Sequence, residues 1–376
     1  MSIGISQPIV TNGLVFAYDM ANTKKSFKGA PTTNYVTNAT AMTGWNNYGS
    51  GTPVSFDTDF GTKGYGLYNA GSWNGIYRNV VIPSAGTYTF SAWVRYIGGS
   101  ANNNGGGVYI SGWGGGDSAT VTSRTLPGQW QRLSITLACT NLSFTFYLIS
   151  WGGTNGADYS SWEMTMPQAE AGSYATGFVD GTRTTSNNLV DLTGNATITT
   201  TSLVYNSDGT FSFNGGTDSL LISGLPASQN FTWSAWVNSS AVSGAQNIIS
   251  MNGPYFMRIT GSTVRFNVLT DIGSWLFQQG TTTLSNNTWY YLTMIYDQVA
   301  GLWKGYINGT QEFSVAKTGA INSGYATFYA YIGYTPQGGE NAPFNGKIAT
   351  IQYYNRALSS GEVLQNFNAL RGRYGV

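Results

Sequence analysis

The chain contains no histidine and a single cysteine, Cys139, and only 9% of its 376 residues are charged. Without imidazole it has no Ser-His-Asp or Cys-His catalytic unit and no histidine-ligated metal. One cysteine allows neither a disulfide within the chain nor a cysteine-rich metal centre. These absences exclude the commonest nucleophilic hydrolases and zinc sites.

An excess of charge of one sign is also lacking, since 17 Lys and Arg stand against 16 Asp and Glu. The scattered basic residues are too few for the phosphate contacts that nucleic-acid binding requires. Residues 1–13 lack the basic start and long apolar stretch of a secretory signal, and no apolar run approaches the roughly 20 residues that cross a bilayer. We therefore expect a neutral protein that folds where it is made, with no nucleic-acid partner and no membrane insertion.

Glycine and aromatic residues are abundant, with 50 Gly, 12 Trp, 25 Tyr and 18 Phe. Short runs of alternating apolar and polar residues recur between Asn-Gly, Asp-Gly and Gly-Gly pairs, which is typical of strands joined by turns. The predicted fold class is all-β, with two antiparallel β-sandwiches (jelly rolls).

One short helix is predicted at the C-terminus. Ser359 and Glu362 form a capping-box pattern, and Gly372 is expected to end the helix. Its predicted apolar stripe consists of Val363, Leu364, Phe367 and Leu370.

A signature with a central tryptophan occurs twice. Residues 88–95 read YTFSAWVR and residues 231–238 read FTWSAWVN, and each copy precedes a strand that opens at a further tryptophan, Trp130 or Trp289. Because the inward positions of a sandwich favour large rings, Trp93, Trp130, Trp236 and Trp289 are predicted to pack in cores. The repetition indicates two separate sandwiches of related design.

The second half of the chain resembles the concanavalin A-like lectin/glucanase (laminin-G-like) sandwich. The resemblance lies in FSFNG at 211–215, FTWSAWV at 231–237, WYYL at 289–292 and GYING at 305–309. The ending, FNGKIATIQYYNRALS at 344–359, is similar to the close of such domains in bacteriophage structural proteins. Residues 12–22 resemble the first strand of the same domain, whose next turn matches Asp191–Asn195 far downstream.

The intervening residues resemble the carbohydrate-binding-module jelly rolls of phage tail proteins. This second resemblance rests on residues 88–95, 130–134 and above all 168–176, QAEAGSYAT, which in those modules closes the final strand. We therefore predict a discontinuous sandwich of residues 1–30 plus 182–376 and an inserted jelly roll at 31–181. Residues 14–18 are expected to pair near the closing strand at 347–353, bringing the termini together.

The acidic residues show no catalytic pattern. Glucanases with this sandwich place a nucleophile and a general acid about 5 Å apart on one strand. The nearest equivalents are Asp57 with Asp59 and Glu163 with Glu170, and structural or loop roles are expected for both pairs. We predict no catalytic residue and no enzymatic activity.

Calcium is the only cofactor that the sequence leaves open. Asp117, Asp158 and Asp218 lie in glycine-rich loops that could supply oxygen ligands to Ca²⁺. No spacing among them is diagnostic, so no metal site is predicted.

Three tryptophans of the inserted module sit between turn-forming residues, where a ring is a poor core candidate. An exposed indole can stack on the apolar face of a pyranose while nearby polar groups take its hydroxyls. The alternative is that these rings cover the ends of the sandwich or a subunit interface. The carbohydrate-binding candidates are Trp73, Trp113 and Trp151, with Asn74, Asn155 and Asp158 as polar partners and Trp275 as a weaker candidate in the other domain.

Together these features predict a non-enzymatic phage virion component of the tail, fibre or capsid surface that binds host-surface glycans. A purely structural or decorating protein and a polysaccharide depolymerase are the alternatives. The resemblance implies other virion proteins as partners, a homo-oligomer on the particle with a trimer favoured, and localisation to the virion after assembly in the host cytoplasm.

Overall fold

The computed structural model describes residues 8–22, 25–71, 73–100, 105–112, 118–123, 127–151, 159–186, 188–205, 211–226, 228–251, 255–272, 275–321, 329–336 and 342–376. Within these ranges the side chains of residues 105, 106, 112, 118–123, 151, 205 and 211 lie outside the description. The chain forms two compact units, Met1–Ala30 with Thr185–Val376 (the discontinuous unit) and Pro31–Thr184 (the inserted unit). The sequence-based division placed the corresponding boundaries at 30/31 and 181/182.

The first strand belongs to the discontinuous unit and the next twelve to the inserted unit. They are β1 (Leu14–Asp19), β2 (Thr32–Thr33), β3 (Asn46–Tyr48), β4 (Val54–Asp57), β5 (Lys63–Ala70), β6 (Gly75–Val81), β7 (Gly86–Gly99), β8 (Gly105–Gly112), β9 (Ser118–Ser123), β10 (Trp130–Cys139), β11 (Ser143–Trp151), β12 (Ser160–Ala171) and β13 (Thr182–Arg183).

The remaining elements complete the discontinuous unit. They are β14 (Thr197–Thr201), β15 (Val204–Tyr205), β16 (Phe211–Asn214), β17 (Ser219–Ser223), β18 (Phe231–Ser239), β19 (Ala245–Met251), β20 (Tyr255–Thr260), β21 (Thr263–Val268), β22 (Leu276–Gln279), β23 (Trp289–Asp297), β24 (Leu302–Ile307), β25 (Thr310–Ala316), β26 (Tyr329–Ile332), β27 (Asn345–Tyr354) and helix α1 (Ser360–Tyr374).

The inserted unit is a sandwich of two five-stranded antiparallel sheets. One sheet has the order β10-β7-β12-β5-β4 and the other β3-β6-β11-β8-β9, with a short β13-β2 pair beside them. Alternate residues of each sheet point into a shared core, where Phe90 of β7 contacts Phe144 and Phe146 of β11 at ring-centroid distances of 5.5 and 6.0 Å. The residues between them point outward, which creates two outer faces.

The discontinuous unit is a larger sandwich of an eight-stranded and a seven-stranded sheet. The seven-stranded sheet has the order β14-β17-β26-β19-β20-β21-β22. In the eight-stranded sheet β1 pairs antiparallel with β27, and Tyr18 lies opposite Ile351. The pairing predicted for residues 14–18 with the closing strand is present. Both units are thus antiparallel sandwiches, and the predicted all-β class with one C-terminal helix is confirmed.

Helix α1 begins as predicted but ends later. Ser359 is the N-cap and forms a complete capping box with Glu362, whereas the C-cap is Gly375 at φ +70° rather than Gly372. The last turn persists because the Tyr374 ring stacks on Trp236 with centroids 4.3 Å apart. The predicted stripe is also wrong at Leu364, which is exposed, whereas Val363 and Phe367 are buried.

The two copies of the tryptophan signature have different surroundings. Trp236 points to the outer side of its sheet and is fully buried, since α1 lies over it through Phe367 and Tyr374. Trp93 and Trp130 also point outward but are only half-buried, with Phe60 against both rings. The prediction that these two tryptophans lie in the core is wrong, because in this signature the inward positions are held by Phe90, Ala92 and Val94.

Candidate functional site

The outer face of the β3-β6-β11-β8-β9 sheet carries a row of tyrosines. Tyr77 of β6 lies opposite Tyr147 of β11, and Tyr147 lies opposite Tyr109 of β8. Tyr48 of β3 lies diagonally beside them. The chain neighbours Ile76, Val108, Ile110, Phe146 and Leu148 are buried in the core, so the two-residue period of the strands places the tyrosines on the outer side.

The four rings form one continuous aromatic surface, which we call the tyrosine face. Tyr147 is at its centre, with ring centroids 5.1 Å from Tyr48, 5.8 Å from Tyr77 and 5.2 Å from Tyr109. The rings of Tyr77 and Tyr109 are inclined to Tyr147 by only 35° and 32°. All four side chains are half-buried, so each combines a fixed position with an accessible ring surface. The row crosses three strands, a span of about 10 Å.

A parallel polar row lies two residues further along the same strands. Asn79, Thr145 and Ser111 are paired across β6, β11 and β8, and the Thr145 hydroxyl donates to Asn79 Oδ1 at 3.2 Å. Burial raises the pKa of Tyr147, and the neighbouring phenols add to this effect, so the ring stays neutral and its hydroxyl remains a hydrogen-bond donor. None of these seven residues is Asp, Glu, Lys or Arg.

Trp73 extends the tyrosine face at one end. Its side chain is 46% exposed, and its ring meets Tyr109 edge-on at 6.1 Å. The residue occupies a turn with φ +60°, and its backbone N–H donates to Ser150 O. The turn thus presents an indole beside the strand that carries Tyr109.

Asn74 is not placed as a residue that hydrogen-bonds to a bound sugar would be. Its side chain is buried, and Oδ1 accepts hydrogen bonds from the backbone N–H groups of Ser50 at 2.6 Å and Gly51 at 2.8 Å. Its amide nitrogen donates to Gly71 O. The expectation that Asn74 takes sugar hydroxyls is therefore corrected: its polar atoms hold together the 49–51 and 71–74 turns.

The remaining candidates of the inserted unit fall largely outside the described residues. This applies to Trp113, Asn155 and Asp158 in full and to the side chain of Trp151. The backbone of Trp151 is the last residue of β11, paired with Gly105, so its placement in a loop is corrected. Trp275 belongs to the discontinuous unit and is 44% exposed.

The acidic residues considered for catalysis have structural partners. Glu163 lies on the opposite outer face of the inserted unit, where it accepts from Arg95 Nε at 2.6 Å and from the Tyr68 hydroxyl at 2.9 Å. Asp59 also contacts Arg95, and Asp57 pairs with Lys63 at the surface. These contacts use the carboxylates to hold strands and turns together.

Glu170 is fully buried at the end of β12. Its Oε1 accepts from the backbone of Thr176 at 2.8 Å, and its Oε2 accepts from the hydroxyl of the same residue at 2.5 Å. Arg132 donates to Thr176 O and to the Ser91 hydroxyl. The Glu170 carboxylate thus holds the QAEAGSYAT segment in its conformation through hydrogen bonds within the segment.

The potential calcium ligands are not brought together among the described residues. Asp218 is buried and accepts from the Asn214 N–H at 2.7 Å, and burial raises its pKa. Asp117 and Asp158 lie outside the described residues. The described part of the chain contains no group of three or more Asp, Glu, Cys or His side chains placed to hold a metal.

The sequence did contain a signal for the tyrosine face. Phe144, Phe146 and Leu148 occupy the apolar phase of β11, which places Tyr147 in the polar phase with Thr145. Val108, Tyr109 and Ile110 follow the same pattern on β8. A tyrosine in the polar phase of a strand points away from the core, and its large accessible ring suits ligand binding.

Comparison with known proteins identifies one domain. Residues 214–364 match the family model of the concanavalin A-like lectin/glucanases superfamily. No curated protein matches the chain. No helix among the described residues has the length and apolarity needed to span a membrane.

Solved structures similar to this chain include toxin and sialidase domains. A botulinum neurotoxin type C structure, reported with the dependence of cell entry on two ganglioside molecules, is 16% identical, with a TM-score of 0.39 and coverage of 50% of each chain. The botulinum neurotoxin serotype D binding domain is 18% identical over 49% of this chain and 50% of that one, also with a TM-score of 0.39. The CBM40 of the Ruminococcus gnavus IT-sialidase, bound to α2,3-sialyllactose, is 19% identical over 37% of this chain and 82% of that one, with a TM-score of 0.33.

The chain spans about half the length of the toxin chains that it matches. The family match lies wholly within the discontinuous unit. The chain therefore contains a concanavalin A-like lectin/glucanase (laminin-G-like) domain with a lectin-like antiparallel sandwich fold.

Proposed function

We propose that this protein is a carbohydrate-binding protein and that the tyrosine face of the inserted unit binds a neutral oligosaccharide. The observation that carries the proposal is the cross-strand row of Tyr77, Tyr147 and Tyr109 beside the parallel row of Asn79, Thr145 and Ser111. Sugars offer an apolar C–H face and a rim of hydroxyls, and the two rows match these two surfaces.

The geometry supports an extended ligand rather than a single sugar. The tyrosine row is about as long as a disaccharide, and Trp73 lengthens it beyond Tyr109. The strands hold the rings in place, so binding costs little side-chain entropy. The absence of charge on the named side chains favours a neutral ligand, because an uncompensated anion would lose hydration without gaining an ionic partner.

A glycan array with the full chain tests the proposal, followed by titration calorimetry with the neutral oligosaccharide that binds most strongly. Tyr147→Ala and Tyr109→Ala should each weaken binding about tenfold, which corresponds to the loss of roughly 1–1.5 kcal/mol for a stacked ring. Asn79→Ala should weaken it less, because its place at the rim leaves water to replace the lost hydrogen bond.

Phe60→Ala is the matched control. Phe60 is an exposed aromatic residue of the same unit but lies against Trp93 and Trp130 on the opposite face. Binding should survive this change. If no neutral glycan binds, or if the tyrosine variants bind as well as Phe60→Ala, the tyrosine face is not a sugar site and a purely structural role gains support.

We further propose that the protein has no glycosidase activity. The proposal is supported by Glu163 and Glu170, whose carboxylates are engaged by Arg95 and Thr176 instead of facing each other across a cleft. Incubation with capsular and cell-wall polysaccharides should release no reducing ends. Release that is lost in Glu163→Gln would contradict this.

We propose a bacteriophage virion as the setting of this binding activity, with other virion proteins as partners and a homo-oligomer, a trimer, on the particle. Support comes from the resemblance of residues 344–359 to the close of lectin-like domains in phage structural proteins. Several weak sugar sites on one particle would bind together with high avidity. Quantitative mass spectrometry of purified particles tests this: several copies per particle are expected, and absence from particles would refute it.

A further inference from the structure

A second outward face with aromatic residues lies on three neighbouring strands of the discontinuous unit. Phe256 of β20, Asn267 of β21 and Phe277 of β22 form one cross-strand row. Arg258 and Arg265 form the next row, directly opposite each other on β20 and β21. The core-facing neighbours Met257 and Phe266 are fully buried, so these residues point away from the core.

The two guanidinium groups lie over aromatic rings. Arg265 Cζ is 4.1 Å from the centroid of Phe277, and Arg258 Cζ is 4.9 Å from that of Phe256. Like charges directly opposite on paired strands destabilise a sheet. Burial lowers the pKa of Arg258, and the nearby charge of Arg265 lowers it further. The arrangement concentrates positive charge at a cost in stability.

Two buried polar atoms on this face lack partners within the described chain. They are Nε of Arg265 and Oδ1 of Asn267, whose residue is 3% exposed. None of the ion pairs between described residues includes Arg265. Buried polar atoms without partners are costly and rare in folded proteins, so their presence beside a concentrated charge is informative.

Exposed rings border the charged row. Trp275 packs against Phe256 at 5.9 Å, and its indole remains 44% exposed, while Phe277 is 54% exposed. A ligand held by Arg265 therefore has an aromatic surface within reach. We call the set Phe256, Arg258, Arg265, Asn267, Trp275 and Phe277 the arginine face.

We propose that the arginine face binds an acidic saccharide, with the carboxylate of the sugar on Arg265 and the ring of the sugar against Trp275. The planar guanidinium fork matches a carboxylate in shape and charge, and Arg258 adds to the positive potential. This site differs from the tyrosine face in unit, in charge and in ligand class.

The test uses the full chain on an array of uronate-containing and sialylated glycans, printed beside their methyl-esterified or desialylated counterparts. The acidic glycans should bind and the neutral counterparts should not bind at this face. Arg265→Gln and Trp275→Ala should each weaken acidic-glycan binding by about tenfold or more, because the first removes a charge-assisted hydrogen bond and the second removes the stacking surface. Binding should also fall with added salt.

Three comparisons keep the result interpretable. Arg265→Lys keeps the positive charge but cannot donate two parallel hydrogen bonds to one carboxylate, so it should retain only part of the binding. Thermal unfolding of every variant separates loss of binding from loss of fold. Tyr147→Ala should leave acidic-glycan binding intact, just as Arg265→Gln should leave neutral-glycan binding intact, so the two proposed sites succeed or fail separately.

Two results would overturn the proposal. One is that no acidic glycan binds, or that acidic and neutral forms bind equally. The other is that folded Arg265→Gln and Trp275→Ala proteins retain the affinity of the unaltered chain for the acidic glycan.

Discussion

The two copies of the tryptophan signature allow one change to be compared in two environments. Trp236 is fully buried between its sheet and α1, where it contacts Tyr291, Phe367 and Tyr374 at 4.3–5.8 Å. Replacing a fully buried tryptophan by alanine costs about 3–5 kcal/mol through lost transfer energy and the cavity left behind. We therefore expect Trp236→Ala to destabilise the discontinuous unit by that amount.

Trp93 occupies the same place in the other copy, but the described residues of the inserted unit form no helix to cover it. Its ring is half-buried, with Phe60 at 5.3 Å as its aromatic neighbour. Part of its surface already meets water, so Trp93→Ala should cost the inserted unit only about 1–2 kcal/mol. The same substitution in the same sequence signature should thus have effects that differ about threefold.

Differential scanning calorimetry of the full chain is the appropriate assay, because each unit has its own core and can show its own transition. The expected decrease in Tm is about 6–20 °C for Trp236→Ala and about 2–8 °C for Trp93→Ala. Trp236→Phe keeps a ring under the helix and should restore much of the loss. If Trp93→Ala lowers the Tm of the inserted unit as much as Trp236→Ala lowers that of the discontinuous unit, coverage by the helix does not explain the difference.

Three further predictions concern carboxylates with structural roles. Arg356 and the helix cap lower the pKa of Glu362 from 4.5 to about 2, so the stabilisation by this carboxylate is complete above pH 4.5 and is lost as the pH falls towards 2. Urea unfolding should therefore show a stability difference of about 1 kcal/mol between the unaltered chain and Glu362→Gln near neutral pH, and this difference should vanish as the pH falls through that window. Asp191→Ala should destabilise the discontinuous unit by about 3 kcal/mol, because the buried Asp191 carboxylate accepts hydrogen bonds from four backbone N–H groups and one hydroxyl. An unchanged calorimetric transition of that unit would contradict this. Glu170→Gln should lower the transition of the inserted unit by an amount equivalent to about 1–3 kcal/mol, since an amide cannot accept both Thr176 bonds, and an effect confined to the other unit would refute the assignment.

Much of the local structure follows from the sequence alone. The alternation of apolar and polar residues identifies the strands, and Ser359 with Glu362 marks the start of α1, because both signals depend on residues only a few positions apart. The end of α1 depends on a contact that is distant along the chain. Gly372 disfavours a helix locally, but the contact of Tyr374 with Trp236 stabilises the last turn.

The candidate sites depend on tertiary structure. Tyr48, Tyr77, Tyr109 and Tyr147 come from four strands spread over a hundred residues, and only the register of those strands makes them one surface. Likewise, the sequence marks Trp93 and Trp236 as equivalent, whereas a helix from the far end of the chain decides that one is buried and the other is not. Which residues alternate along each strand follows from the order of the amino acids alone. Strand pairing and helix docking decided which of them meet, because these are contacts between residues that are distant along the chain.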